Sequence, residues 1–151
     1  MASEMQMVKQ APGSNECGAC VVAMLTDRTK DEILAEVGAP EKPDYFWLNY
    51  MQALGLVVED VRDDIGFDRT LAWDTMFNGY LSLPLGTRYY CSVRTAKAVH
   101  AIAVDKSGMV FDPSTSAPML GTCTLNEYLR LNQSTINSIG CYRVRERTDK
   151  I

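Results

Sequence analysis

Apolar residues recur every three or four positions in the first third of the chain, the spacing that predicts amphipathic helices. The first helix begins near residue 16, where the side chain of Ser14 or Asn15 can accept a bond from unpaired N–H groups. Its apolar stripe consists of Cys17, Cys20, Val21 and Met24. Small and apolar residues dominate this segment, so we expect the helix to be buried.

Two further helices are predicted before residue 56. Thr29 and Glu32 form a capping box at the start of one of them, and Gly38 ends it. The next helix begins near Asp44 and stops at Gly55. Its predicted buried face carries Trp47, Tyr50, Met51 and Leu54.

Beyond residue 55, short runs of β-branched and aromatic residues predict strands. They cover residues 56–61, 88–93, 98–104, 109–111 and 139–144. Thr124 and Glu127 form a further capping box that predicts a helix over residues 125–132, and residues 71–80 are another candidate helix. This order predicts an α+β fold: a single domain over residues 1–151, with a helical N-terminal half packed on a C-terminal antiparallel sheet.

Composition and charge narrow the range of partners. The chain is 46% hydrophobic and 23% charged, with a net charge of −4, values typical of a folded domain. Its densest basic run is Arg143, Arg145 and Arg147, which predicts the solvent-exposed face of a terminal strand, so nucleic acid is not an expected partner. The sequence shows neither a secretory pattern nor a bilayer-length apolar stretch, which predicts a cytoplasmic protein without a membrane partner.

Cys17 is a candidate nucleophile. The chain has five cysteines, an odd number at irregular spacing, which predicts reduced thiols rather than a disulfide scaffold. Cys17 falls in the first turn of its predicted helix, where unpaired N–H groups and the helix macrodipole favour a thiolate. Its place on the apolar stripe fits a buried structural thiol equally well.

His100 is the only histidine, so any thiol chemistry assisted by an imidazole must use it. It lies in a predicted strand, and the turn after that strand predicts a hairpin with Gly108 in the left-handed conformation. In that register Asp112 lies opposite Ile102, on the same sheet face as His100 and diagonal to it. A carboxylate in this position can orient the imidazole. The alternative is that Asp112 and Pro113 form an ordinary turn.

Four motifs of the chain occur in an order that resembles the papain-like cysteine peptidases: Gln10, Cys17-Gly18, His100 and Asp112-Pro113. Within that class, the similarity is closest to the peptidases that cleave double-glycine leaders from bacteriocin precursors. The resemblance implies a papain-like peptidase fold. It also implies Cys17 as nucleophile, His100 as general base and then acid, and Asp112 as the orienting carboxylate.

Gln10 is the candidate donor to an oxyanion. Acyl transfer needs N–H donors for the charge that develops on the carbonyl oxygen, and the backbone N–H of Cys17 with a nearby side-chain amide would supply two. The resemblance assigns the amide to Gln10, which lies one residue further from Cys17 than is usual in that family. Asn15 and Gln6 are the alternatives.

The predicted function is hydrolysis of a peptide or amide bond in a peptide or protein substrate, through a Cys-His-Asp triad and a thioester intermediate. No cofactor and no metal are expected. The same triad would serve deamidation or acyl transfer to an amine, and a papain-like fold used only for binding or inhibition is the non-enzymatic alternative. Cys17 and Cys20 also form a C-x-x-C pair, so a thiol oxidoreductase, or a zinc site that includes His100, stays open.

Overall fold

Four helices form in the part of the chain that the computed structural model describes, residues 4–61, 83–114, 123–132 and 135–147. They are α1 (Cys17–Thr26), α2 (Lys30–Val37), α3 (Asp44–Ala53) and α4 (Leu125–Leu131). Each begins at or next to its predicted position. The candidate helix over residues 71–80 lies outside the described residues.

Local capping decides where α2 and α4 begin. Thr29 accepts a hydrogen bond from the backbone N–H of Glu32, and Thr124 accepts one from the backbone N–H of Glu127. In both boxes the glutamate side chain accepts a hydrogen bond from the backbone N–H of the capping residue. Both predicted capping boxes are therefore confirmed, because each depends on residues only three positions apart.

The predicted capping of α1 by Ser14 or Asn15 is wrong. Glu16 is the N-cap residue, and no side chain of the described residues caps the first turn. The Ser14 hydroxyl instead donates to Glu16 Oε1 at 3.2 Å, and the same oxygen accepts from the Ala11 N–H at 2.9 Å. The polar side chains before α1 therefore stabilise the preceding loop rather than the N–H groups of the helix.

α1 is buried around its whole circumference. Residues 18–25 are all buried, and a helix that is apolar on every side must be covered on every side. Its cover includes Ile33 of α2 and both Trp47 and Met51 of α3. Trp47 and Met51 are buried as predicted, whereas Tyr50 is half-buried and Leu54 at the C-cap is exposed.

The five strands of the described residues form one antiparallel sheet in the order β1-β5-β2-β3-β4. They are β1 (Val57–Asp60), β2 (Arg88–Thr95), β3 (Val99–Val104), β4 (Val110–Phe111) and β5 (Ile136–Arg145). β5 begins before the predicted residue 139 because its pairing with β2 extends to Ile136. The α+β architecture with an antiparallel sheet is thus confirmed.

Separate cores cover the two faces of the sheet. The helices α1 and α3 pack on the face that carries Tyr90 and Ala103. The helix α4 packs on the opposite face, where Leu125 and Leu129 meet Cys91. None of the helices in the described ranges combines the length and apolarity that a bilayer-spanning helix needs.

The expected exposure of the last basic run is wrong for two of its three arginines. Arg143 is buried, and Glu59 lies directly opposite it in β1. Glu59 Oε1 accepts from Arg145 Nε at 3.0 Å and lies 3.9 Å from Arg143 Nη1. A carboxylate from a distant part of the chain thus partners these guanidinium groups, which the local alternation of charge does not reveal.

Candidate active site

Cys17 is the first residue of α1 and the one cysteine that is not fully buried among the five. Its sulfur accepts hydrogen bonds from the backbone N–H groups of Gly18 and Ala101, and it hydrogen bonds the imidazole of His100. The helix start supplies one of these donors and β3 supplies the others. The thiol therefore lies where α1 meets β3.

The β3–β4 hairpin brings Asp112 to His100. Ala103 pairs with Phe111 and Val104 with Val110, and Gly108 has a φ of 84°. This is the register expected from the sequence. Asp112 follows β4 directly and lies diagonal to His100, and Asp112 Oδ1 lies 2.7 Å from His100 Nε2. The predicted juxtaposition is confirmed.

The short length of β4 makes room for α1 at the edge of the sheet. In the described ranges β4 has two residues and pairs with Ala103 and Val104. The part of β3 that carries His100 and Ala101 therefore extends beyond β4, and the first turn of α1 approaches it there. The Ala101 N–H donates to the Cys17 sulfur, in place of the carbonyl oxygen that a neighbouring strand would offer.

The Asp112 carboxylate has donors on both of its oxygens. Oδ1 accepts from the Ser114 N–H at 2.8 Å as well as from His100, and Oδ2 accepts from the Tyr128 hydroxyl at 2.8 Å. Burial opposes ionisation of Asp112, but the hydrogen bond and charge of His100 and the bonds from Ser114 and Tyr128 outweigh it, so its pKa lies below the ordinary value. Asp112 is thus held as the anion.

The electrostatics of the site favour a thiolate–imidazolium pair. Burial opposes ionisation of Cys17, but the hydrogen bond from His100, the Ala101 N–H and the positive charge of the imidazole lower its pKa. Burial also lowers the pKa of His100, yet the hydrogen bonds and charges of Asp112 and Cys17 raise it to about 10. Both shifts therefore favour a deprotonated Cys17 beside a protonated His100.

Gln10 lies beside the Asp112 segment rather than in the hydrogen-bonded chain of the other three residues. Its backbone N–H donates to Pro113 O at 3.0 Å, and its side-chain Nε2 donates to Ser14 O at 2.9 Å. The neighbouring Lys9 Nζ donates to Asp112 O at 3.2 Å and to Ser114 O at 2.6 Å. Gln10 is thus fixed near the site, and its role as oxyanion donor stays a prediction.

The other two amide candidates lie in the same N-terminal stretch. Gln6 and Asn15 are both exposed. Their roles as alternative oxyanion donors stay predictions too.

Cys20 differs from Cys17 in its burial and in the direction of its pKa shift. It is fully buried, and this burial raises its pKa to about 12. Cys91 and Cys141 form a separate pair on the opposite side of the sheet, with their sulfurs 3.7 Å apart. Within the described ranges, histidine, cysteine and carboxylate side chains form no cluster of three or more that would hold a metal ion. The burial and raised pKa of Cys20 therefore fit a packing role better than a dithiol role.

A second polar cluster fixes α3 next to the start of α1. The Asp44 carboxylate accepts from the Tyr90 hydroxyl at 2.7 Å and from the Ser92 hydroxyl at 2.5 Å. This anchors the first turn of α3, one turn before Trp47. The Trp47 indole packs so closely on Gly18 that a Cβ there would overlap the indole nitrogen. Gly18 is thus required by this contact, which positions the turn that carries Cys17.

Sequence reasoning missed Tyr128, Asp44 and Lys9 as residues around the site. Tyr128 falls beside the apolar stripe of α4, and a tyrosine that packs into a core needs a partner for its hydroxyl. That signal is present in the sequence but does not identify the partner. Asp44 and Lys9 carry no local signal, because their partners lie 46 and at least 103 residues away.

No protein-family model matches the chain, and no curated protein matches it. What the site does must therefore be inferred from its geometry and chemistry.

Proposed function

We propose that the protein is a cysteine peptidase or isopeptidase with a papain-like fold, in which Cys17, His100 and Asp112 form the catalytic triad. The observation that carries the proposal is that one imidazole serves both partners: His100 Nε2 lies 2.7 Å from Asp112 Oδ1, and the same ring lowers the pKa of the Cys17 thiol. It joins a nucleophile, a base and an orienting group in the arrangement that acyl transfer requires.

The reaction begins with attack by the Cys17 thiolate on the carbonyl carbon of the substrate amide. A sulfur–carbon bond forms, and negative charge develops on the carbonyl oxygen. Backbone N–H groups in the first turn of α1 can donate to this oxyanion, because the first N–H groups of a helix have no partner within the helix. Collapse of the intermediate breaks the carbon–nitrogen bond, and the leaving amine takes the proton held by His100.

Hydrolysis of the thioester completes the cycle. Neutral His100 takes a proton from a water molecule as that water attacks the thioester carbon. The sulfur–carbon bond breaks, the acyl group leaves as a carboxylic acid, and the proton on the imidazole restores the starting ion pair with the Cys17 thiolate. Asp112 stabilises the imidazolium in both halves of the reaction.

The overall architecture also supports the proposal. A cysteine at the start of a buried helix, followed in the chain by a histidine and an aspartate on an antiparallel sheet, is the layout expected from the resemblance to papain-like peptidases. The half-buried Cys17 favours catalysis over a binding role, because an inactive scaffold needs no thiol with a lowered pKa. Deamidation or acyl transfer would use the same thioester with a different leaving group or acceptor.

Cleavage of a peptide library, read by mass spectrometry, tests the proposal. Wild-type protein should create new peptide ends, whereas Cys17→Ala and His100→Ala should each lose nearly all turnover. The double variant should be scarcely worse than either, because residues of one catalytic set act as a unit. Asp112→Asn should retain more activity, because it disturbs orientation rather than removing the nucleophile or the base.

Three results would overturn the assignment. Cleavage by Cys17→Ala at the wild-type rate would remove the nucleophile from the mechanism. Variants that are inert in every assay of amide chemistry but keep the protein's full biological effect would show that the protein acts by binding. Conversion of glutamine side chains without chain cleavage would identify a deamidase instead.

A further inference from the structure

The helix α4 is anchored so that Tyr128 reaches the Asp112 carboxylate. Its start is fixed by the capping box of Thr124 and Glu127. Leu125 and Leu129 are buried against the sheet and hold one side of the helix in the core. Between these anchors, the Tyr128 side chain extends to Asp112, and its hydroxyl lies 2.8 Å from Oδ2.

The tyrosine hydroxyl completes the hydrogen bonding of a buried carboxylate. The Asp112 side chain is 8% exposed, so bulk water has little access to it. His100 and the Ser114 N–H both donate to Oδ1, whereas Tyr128 donates to Oδ2. Because the two oxygens are held from different directions, the carboxylate resists rotation about its Cβ–Cγ bond. A buried anion that lost one of these donors would be poorly satisfied.

We infer that Tyr128 is a positioning residue of the active site: its hydroxyl holds the Asp112 carboxylate in the orientation that His100 requires. The inference rests on the proposed function, since it concerns the same triad. It adds α4 to the catalytic apparatus. The hydrogen-bonded chain then runs from Tyr128 through Asp112 and His100 to Cys17.

The hydroxyl is suited to this role because it stays protonated. Burial and the negative charge of Asp112 both raise the pKa of Tyr128. The phenol is therefore neutral throughout the pH range in which a thiolate–imidazolium pair exists, and it donates at every pH in that range. A tyrosine in this position also brings no charge that would compete with His100 for the carboxylate.

Tyr128→Phe removes the donor and keeps the ring. The matched control is Tyr89→Phe, because the Tyr89 hydroxyl also bonds a single protein acceptor, Pro84 O at 2.6 Å, and its ring belongs to the same core. The probe is the rate at which iodoacetamide alkylates Cys17, which depends on the ion pair but not on hydrolysis of any amide. The alkylation rate therefore still tests the role of Tyr128 if the protein is not a peptidase.

We expect Tyr128→Phe to slow alkylation about tenfold at pH values below the lowered pKa of Cys17, the equivalent of one hydrogen bond to a charged group. The reason is that a carboxylate free to rotate stabilises the imidazolium less well. The rates of wild type and Tyr128→Phe should converge above the ordinary thiol range, where Cys17 ionises without help. In an Asp112→Ala background, Tyr128→Phe should have no further effect on the rate. Tyr89→Phe should follow the wild-type profile at every pH.

The unfolding free energy measured against pH gives a second readout. The Asp112 pKa is lowered in the folded state, so its stabilising contribution is present above the unfolded-state value and is lost as pH falls through the folded-state value. The difference between wild type and Tyr128→Phe should therefore shrink as Asp112 becomes protonated. The difference for Tyr89→Phe should not change over the same range, because no titrating group accepts its bond.

Two results would overturn the inference. One is an alkylation profile of Tyr128→Phe that coincides with that of the wild type. The other comes from the wild-type protein and can be obtained even if this variant does not fold. If the inference is correct, NMR spectra should show a slowly exchanging Tyr128 hydroxyl proton close to the His100 ring protons. A Tyr128 hydroxyl that exchanges as fast as an exposed phenol would show that it does not hold Asp112.

Discussion

His100 and Asp112 face each other at the end of the β3–β4 hairpin, with Nε2 of the imidazole 2.7 Å from Oδ1 of the carboxylate. This contact engages Nε2, so Nδ1 is the ring nitrogen that remains for Cys17. In the proposed reaction, a proton taken from the thiol would therefore reside on Nδ1 rather than on Nε2. The hairpin register thus determines which ring nitrogen is left to exchange a proton with Cys17.

Selective alkylation at Cys17 is the first prediction. The pKa of Cys17 lies below the ordinary thiol value. Burial raises the pKa of Cys20 to about 12, and the hydrogen bond to Cys141 together with burial raises the pKa of Cys91 well above the ordinary value. Brief treatment with iodoacetamide at about pH 7 should therefore label Cys17 ahead of the other four cysteines, as peptide mapping would show. Equal labelling of all five thiols would contradict the ion pair.

The directions of the pKa shifts of Cys17 and His100 determine how this labelling depends on pH. Alkylation of Cys17 should already be fast below the ordinary thiol pKa and should slow only as pH falls through the lowered value. His100→Ala should move thiolate formation to higher pH than in the wild type, because the hydrogen bond and charge of the imidazole then no longer oppose the burial of Cys17. Amide hydrolysis should also decline as pH rises through about 10, where His100 loses the proton that the leaving amine needs. Identical profiles for wild type and His100→Ala would refute this account.

The second prediction separates acyl transfer from dithiol chemistry. Cys20 is fully buried on α1 and has no role in the proposed reaction. Cys20→Ala should therefore keep near wild-type turnover, with a modest loss of stability from the small cavity that the sulfur leaves. A dithiol mechanism needs Cys20 to resolve a mixed disulfide, so the same variant would be inactive. Turnover and thermal unfolding measured on the same preparation distinguish the two.

Features that depend on neighbours in the sequence could be predicted. The capping boxes of α2 and α4 require residues three positions apart, and the β3–β4 register requires a short turn that ends at Gly108. The register in turn predicts the contact between His100 and Asp112 from local information alone. The start of α1 at Cys17 and the contact between His100 and Asp112 thus follow from local signals.

Features that depend on distant residues could not be predicted. Glu59 pairs with Arg145 across 86 residues of sequence. The Tyr128 hydroxyl bonds Asp112 because α4 packs against the sheet next to it. In each case the partner is determined by tertiary packing, which a pattern along the chain does not contain.

The third prediction concerns the contact between Gly18 and Trp47. Gly18→Ala would normally stabilise a helix by about 1 kcal/mol. Here the added methyl group overlaps the Trp47 indole, and overpacking of a well-packed core costs about 1–3 kcal/mol. We expect a net loss of stability in chemical denaturation, together with slower Cys17 alkylation because the first turn of α1 must shift.

Gly140→Ala is the control for this prediction. The nearest atom to a Cβ at Gly140 is 3.5 Å away on Tyr142, which is ordinary van der Waals contact. This variant should therefore unfold close to wild type and leave alkylation unchanged. A Gly18→Ala protein that is more stable than wild type would show that the indole moves aside and does not constrain the start of α1.

The last prediction decides the role of Gln10. Its Nε2 carries two hydrogens, one of which is directed at Ser14 O, so a second N–H is available to an oxyanion. If Gln10 serves as that donor, Gln10→Ala should lower kcat by about 10²-fold or more. The rate of Cys17 alkylation should stay at the wild-type value, because alkylation of a thiolate develops no oxyanion. Gln6→Ala and Asn15→Ala, which remove the other two candidate amides, should leave kcat unchanged.

A Gln10→Ala protein that loses stability but keeps its kcat would show that the bond to Ser14 is the whole role of Gln10. The kcat values of the other two variants would then identify the donor.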